Sequence, residues 1–207
     1  MGLFSSFDKI KCKTHLKLAM SRLALLKNKK ATGVDRLRRQ VAHMLTEKRE
    51  EHARVRAEEV LREEGLTAGL EVLSGLCELL LARFSLLEGG GKECNEEILE
   101  LVSTIIWSAP RAEVEELLVV SKELGHKYGK DFHRACTNNT ENFANARIVS
   151  SLSYNTPSRA AVDDCLYSVA RERNIPFIVE EPPLGASASA PVLPDGLDVP
   201  PPPPPPP

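Results

Sequence analysis

The side chains with chemical potential are mostly cations, and they come early. Lys9, Lys11, Lys13, Lys17, Arg22, Lys27, Lys29 and Lys30 precede any cluster of acids. Beside an anionic leaflet each such charge contributes about 1 kcal/mol, so even half of them supply substantial attraction. A helical wheel does not gather them on one face. Lys13, Lys17 and Lys27 flank one side of a Leu16–Leu23–Leu26 stripe, while Lys11, Arg22 and Lys29 cluster beside Leu18 and Leu25. Lysine stems bordering a buried stripe, with hydrated heads, are the plainer reading of the same pattern. Ahead of the cations, Met1-Gly2-Leu3-Phe4-Ser5-Ser6 fits the pattern for myristoylation of Gly2. One acyl chain binds membranes marginally and needs a second signal, which the lysines supply. Without lipidation, Leu3, Phe4, Phe7 and Ile10 still offer an apolar wedge. Nucleic acid is not an expected partner, because no aromatic residue interleaves the basic run after Phe7.

Other constellations carry little chemistry, and no catalytic residue, cofactor or metal is expected. Gly91-Lys92 lacks the phosphate-loop pattern: Leu86 stands where glycine is required and Glu93 where Ser or Thr is required. The histidines form no HExxH motif, and His133 with Cys136 makes at most two ligands. Glu113, Glu115 and Glu116 sit where a helix N-terminus favours carboxylates. Five cysteines, without paired spacing, read as reduced thiols.

These groups must be positioned by helices. The chain has 207 residues, 42% hydrophobic but only 5% aromatic. That suffices for one core and favours helix over sandwich. No secretory signal or membrane span is expected. Residues 1–60 carry 15 Lys and Arg against 7 Asp and Glu, whereas the remainder carries 12 against 22. Twelve of the fifteen prolines follow Glu181, so residues 180–207 read as a disordered proline-rich tail after a folded domain over 1–179.

Within that domain the apolar spacing predicts a helix from about Phe7 to Leu45, a turn at Thr46–Lys48 and a second helix over about Glu47–Glu88. Leu66, Leu70, Leu73, Cys77, Leu80, Phe84 and Leu87 form a heptad-like seam along the second helix. The pair makes a long antiparallel hairpin. Shorter helices are expected over Asn95–Trp107, from Pro110 with Ser108 as cap to Asn138, within Glu141–Leu152, and from Thr156-Pro157 onward. Phe177–Val179 is the only strand candidate. The fold class is all-α.

Five blocks then carry a resemblance: Arg22-Leu-Ala-Leu-Leu-Lys-Asn-Lys-Lys30, Ala53-Arg-Val-Arg-Ala-Glu-Glu-Val-Leu-Arg62, Cys77-Glu-Leu-Leu-Leu-Ala-Arg-Phe84, Trp107-Ser-Ala-Pro-Arg111 and Lys127-Tyr-Gly-Lys130. In order and spacing the chain resembles the increased-sodium-tolerance (Ist-type) family of ESCRT-III-related regulators over about residues 4–178. Leu76 and Ser108 depart from the family, which often has Tyr and Ala there. The resemblance implies an ESCRT-III-like helical core and no enzymatic activity. It implies a cytoplasmic protein, peripheral on endosomal membranes, active in multivesicular body sorting and cytokinetic abscission. It also implies self-assembly and binding to charged multivesicular body proteins. A further implied partner is the AAA ATPase of vacuolar protein sorting, reached through MIT domains. The leucine-rich MIT ligand, Leu-x-x-Arg-Leu-x-x-Leu, is missing from the tail, and its mimic at Leu80–Leu87 lies on the core seam. The extended, proline-containing form is matched by Leu193, Pro194, Leu197 and Pro200. The alternative is a soluble adaptor whose proline run serves SH3, WW or MIT-type domains.

Overall fold

The computed structural model describes residues 6–89 and 91–177, and among them every regular element is a helix. Helix α1 (Lys9–Thr46) begins where the Asp8 carboxylate caps the Lys11 N–H at 3.0 Å. It ends in a turn that Lys48 closes in the left-handed region at φ 58°. Helix α2 (Glu50–Ala82) runs back antiparallel to α1. At 1.5 Å per residue the two arms are about 57 and 50 Å long.

Two separate apolar cores line this hairpin. At its open end Cys12, Leu16, Ala19 and Leu23 of α1 meet Leu70, Leu73, Cys77 and Leu80 of α2. That core is closed by α3 (Phe84–Glu88), α4 (Glu96–Ser108), α5 (Glu115–Tyr128), α6 (Lys130–Asn138) and α7 (Ala146–Leu152). At the turn end Val34, Leu37, Val41 and Leu45 meet Ala53, Ala57 and Val60, and α8 (Arg159–Glu172) covers them with Val162, Leu166 and Val169. Between the cores lies a polar waist: Lys30 pairs with Glu63 at 3.2 Å, and Arg38 donates to Glu64 at 2.9 Å. An 18-residue stretch of α2 is apolar and long enough to cross a bilayer by composition alone, contrary to expectation. Its leucine seam instead faces the main core.

The expected elements exist, but several boundaries move. The second helix does not run unbroken to Glu88. Arg83 leaves helical geometry at ψ 20° and separates α2 from α3, while Phe84 and Leu87 stay on the buried seam. Ser108 does not cap a helix at Pro110. It ends α4 with its hydroxyl buried and without a hydrogen-bond partner among the described residues, and α5 starts five residues after Pro110, past Glu113 at φ 55°. The expected long helix to Asn138 breaks at Gly129, whose φ of 96° suits glycine. Helix α6 then folds back so that His133 packs on Gly125. The last helix takes Ser158 as its cap, not Thr156-Pro157, because the Ser158 hydroxyl reaches the Ala161 N–H. Phe177 is irregular, and residues 178–179 lie outside the described region.

Helix α7 crosses α2 at Gly69. A Cβ there would stand 2.6 Å from the Ser151 Cβ. Gly69→Ala is therefore expected to destabilise the protein by about 1–3 kcal/mol. Gly75→Ala, on open helix surface, is expected to be neutral or to stabilise by up to about 1 kcal/mol. Urea midpoints of the two variants check both signs.

Candidate functional site

Five of the eight early cations are engaged in ion pairs with acids from later in the chain. Lys11 reaches Glu123 at 2.9 Å, Arg22 reaches Glu116 at 3.1 Å, and Lys9 reaches Glu88 at 3.8 Å. Lys27 pairs with Glu71 at 3.4 Å and Lys30 with Glu63 at 3.2 Å. Lys13 lies over the Phe84 ring at 5.4 Å. Among the described residues, Lys17 and Lys29 have no ion-pair partner. Phe7 packs against the main core, so it does not project as a wedge in this structure. Gly2, Leu3, Phe4 and the tail residues Leu193, Pro194, Leu197 and Pro200 lie outside the described residues.

What α1 does present is an apolar stripe. Ile10, Leu18 and Leu25 are 73%, 48% and 63% exposed, at spacings that return to one side of the helix. Lys17 flanks the stripe on one edge and Lys29 on the other. Beside Leu25 a notch of about 440 Å³ runs between Arg22 and Lys29 on α1 and Glu113, Glu115 and Glu116 at the start of α5. The surface is thus amphipathic, with only part of its charge free.

A second candidate surface opens at the waist. Helix α7 ends and α8 begins on the same side of α2, and the connector 153–158 bridges them. Together they enclose a groove of about 570 Å³ whose walls include Leu61, Leu66, Leu152, Pro157 and Ala161. Gly65 lines the groove with no side chain, and nothing lies within 4 Å of where its Cβ would be. Tyr154 stands at the rim, 81% exposed, with Arg62 donating to its hydroxyl at 3.0 Å and stacking on its ring. Sequence reasoning missed this groove. Its signal was the polar interval Arg62-Glu63-Glu64-Gly65, which separates Leu61 from the leucine seam starting at Leu66.

The most constrained charge was also missed. Glu123 on α5 is 1% exposed and accepts from the Asp8 backbone N–H at 3.0 Å and the Lys11 Nζ at 2.9 Å. His126 Nδ1 lies 3.4 Å away. Burial pushes the Glu123 carboxyl up, but donation from Lys11, Asp8 and His126 outweighs it and holds the group below the ordinary carboxylate range. Its sequence signal is a carboxylate between Val120 and Leu124 on an inward face. Nearby, His133 Nε2 meets the Ser121 hydroxyl at 2.8 Å, and burial, with His126 adding to it, lowers its basicity. Burial pushes the Cys12 and Cys77 thiols up to about 12, so both behave as small hydrophobes and not as nucleophiles. Cys136 donates to Ser103 at 3.4 Å, and no group of three metal-ligating side chains occurs among the described residues.

Residues 13–176 match the family model "Ist1: Regulator of Vps4 activity in the MVB pathway". An IST1-like protein of Dictyostelium discoideum is 37% identical over 174 residues, 84% of this chain and 47% of that protein. The vacuolar protein sorting-associated protein IST1 of Saccharomyces cerevisiae is 28% identical over 191 residues, 87% of this chain and 63% of that protein. The chain therefore spans about half to two thirds of the length of these relatives. The crystal structure of the S. cerevisiae Ist1 N-terminal domain in complex with the Did2 MIM motif superposes with a TM-score of 0.75 at 26% identity, covering 82% of this chain and 94% of that one.

The buried titratable groups fix a pH response. His133 has a folded pKa below its unfolded value of about 6.5, so the stability it contributes is complete above that pH and is lost as pH falls towards the folded value. Glu123 adds stability above about 4.5 that is lost as pH falls through its own depressed folded pKa. Urea midpoints are expected to decline in two steps on acidification. His133→Asn removes the first step, and Glu123→Gln lowers the neutral-pH midpoint and shrinks the second, to which Glu172, held below the ordinary carboxylate range by Arg38, also contributes.

Proposed function

Because this chain belongs to the Ist1 family of regulators of Vps4 activity in the MVB pathway, we propose that it regulates the Vps4 ATPase by binding and not by catalysis. In this reading it associates with ESCRT-III subunits on endosomal membranes, in multivesicular body sorting and in cytokinetic abscission. The observation that carries the reading is the waist groove. A helical peptide with leucines one turn apart buries its apolar face in such a cleft, and the yeast relative's N-terminal domain is described in complex with a MIM motif. Here the groove has an apolar wall from α2, a side-chain-free position at Gly65 and a polar rim from Arg62 and Tyr154. The charged multivesicular body proteins are the partners proposed for it.

The membrane contact belongs to the other surface. The exposed Ile10–Leu18–Leu25 stripe supplies apolar area, and Lys17 and Lys29 supply free charge. Lys9, Lys11, Arg22, Lys27 and Lys30 join only by exchanging carboxylates for lipid headgroups, at a low cost for the pairs of Lys9 and Lys27, whose carboxylates are exposed. Copies assemble side by side on that surface. Beyond the described residues, Leu193, Pro194, Leu197 and Pro200 dock a MIT domain of the ATPase. Myristoylation of Gly2 adds a second anchor.

The test uses the full chain and a fluorescent Leu-x-x-Arg-Leu-x-x-Leu helical peptide. Gly65→Leu has room to fold and fills the groove, so peptide affinity is expected to fall about tenfold or more while the helical circular dichroism is retained. Unchanged affinity would exclude the groove as the docking site. In parallel, Lys17→Glu with Lys29→Glu is expected to abolish sedimentation with phosphatidylserine vesicles in low salt and to leave peptide binding intact.

A further inference from the structure

The N-terminal end of α1 is fastened in a way that no helix pattern requires. Ser6, Phe7 and Asp8 run in non-helical backbone ahead of the helix, with Phe7 packed on the main core. Lys127 lies over the Phe7 ring at 5.9 Å. The fastening itself is Glu123. Two of its three partners, the Asp8 N–H and the Lys11 ammonium, come from this one short segment.

The two sides of that contact differ in accessibility. The Glu123 side chain is 2% exposed, whereas the Lys11 side chain is 44% exposed. A buried carboxylate tolerates its site only while it is compensated. Lys11 supplies the full positive charge among its partners, and its backbone N–H is held by the Asp8 carboxylate at 3.0 Å. A competing anion in solvent can reach the ammonium without entering the core. Once Lys11 turns outward, Glu123 keeps only the Asp8 N–H and the more distant His126. Water then relieves Glu123 most directly by lifting the segment that covers it. That movement takes Phe7 off the core at the same end of α1 where Ile10 is already exposed.

We propose that residues 6–11 form a strap latched by Glu123, which opens when an anionic lipid surface captures Lys11 and so delivers Phe7 to that surface. The proposal rests on the membrane reading of α1 given above. It adds a trigger, a latch and a side chain that the exposed stripe does not contain. Phe7 belongs to the membrane contact only in the opened strap, which reconciles its apolar character with its packed position.

The full chain tests this in two arms. In solution, amide hydrogen exchange of residues 6–12 is expected to accelerate about tenfold or more in both Glu123→Gln and Lys11→Gln, with the middle of α1 unchanged. Lys11→Gln alters only the solvent side of the contact, so it keeps the test valid if Glu123→Gln folds poorly. The second arm places a reporter by Phe7→Trp and adds vesicles containing brominated phosphatidylserine. Trp107 is 5% exposed and inside the core, so it stays unquenched. The reporter is expected to be quenched on these vesicles, not on phosphatidylcholine alone, and at severalfold lower lipid when Glu123→Gln is also present. Exchange that is no faster in either variant overturns the latch. An unquenched reporter on vesicles that the chain demonstrably binds overturns the strap and leaves the membrane reading standing. Absence of all vesicle binding in low salt overturns the membrane reading, and the lipid trigger with it.

Discussion

The antiparallel pairing of α1 with α2 is the contact on which the rest of the structure depends. Each arm is far longer than one small core can cover, and each buries a stripe against the other. A stripe-on-stripe contact leaves both helices half-wet. The remaining chain therefore closes two cores and not one. Helices α3 to α7 cover the open end and α8 covers the turn end. The waist between them is outside both apolar clusters, so its pairing is ionic, through Lys30–Glu63 and Arg38–Glu64. The groove at Gly65 follows from the same geometry. It is the gap that remains when two separate caps are joined by a short connector over one continuous helix.

The charge asymmetry of the sequence is largely cancelled in space. The basic first third lies along helices whose acids come from later segments, so Lys9, Lys11, Arg22, Lys27 and Lys30 each find a carboxylate. Counting cations along a chain overstates the positive face that the fold presents. Pairs with well-exposed partners contribute only about 0–1 kcal/mol, so they set a default arrangement more than they lock one. Glu123 differs in kind. Its carboxylate is buried, so what depends on it is the desolvation cost of leaving it unpaired, several times larger than the net gain of a surface pair.

The heptad seam from Leu66 to Leu87 and the stripe from Leu16 to Leu26 made the hairpin legible, because buried faces must repeat with the helical period. The break at Arg83 was not legible for the same reason: Phe84 and Leu87 continue the seam across it, so the pattern shows no gap. Gly129 was visible as a residue but not as a break, since Leu124, Tyr128 and Phe132 keep the period through it. Tyr128 and Phe132 remain in ring contact at 5.2 Å on the two sides of the break. Ser108 and Pro110 looked like a helix start because cap and proline spacing is local, whereas α5 begins only where the chain has turned far enough to lie on α1. The cationic and apolar candidates could be named from residue type and spacing alone. Which of them face solvent depended on the acids of α2, α3 and α5, whose pairing no local pattern encodes.

The two ends of the hairpin are fastened by different chemistry, and that difference ranks their responses. At the open end Glu123 sits within a large apolar core, shielded from ions, and only its Lys11 partner is accessible. At the turn end α8 rests on a smaller core, and its polar ties run through Arg38 to Ser168 at 2.8 Å and Glu172 at 2.6 Å, and through Arg54 to Asp163. Glu172 is half exposed, so dissolved salt screens that tie directly. Salt therefore acts on the α8 end at many small charges, whereas an anion acts on the α1 end through one. On the function proposed above, this separation lets the α8 cover beside the groove and the segment over Glu123 be loosened independently, because the ion pairs named at the two ends share no residue.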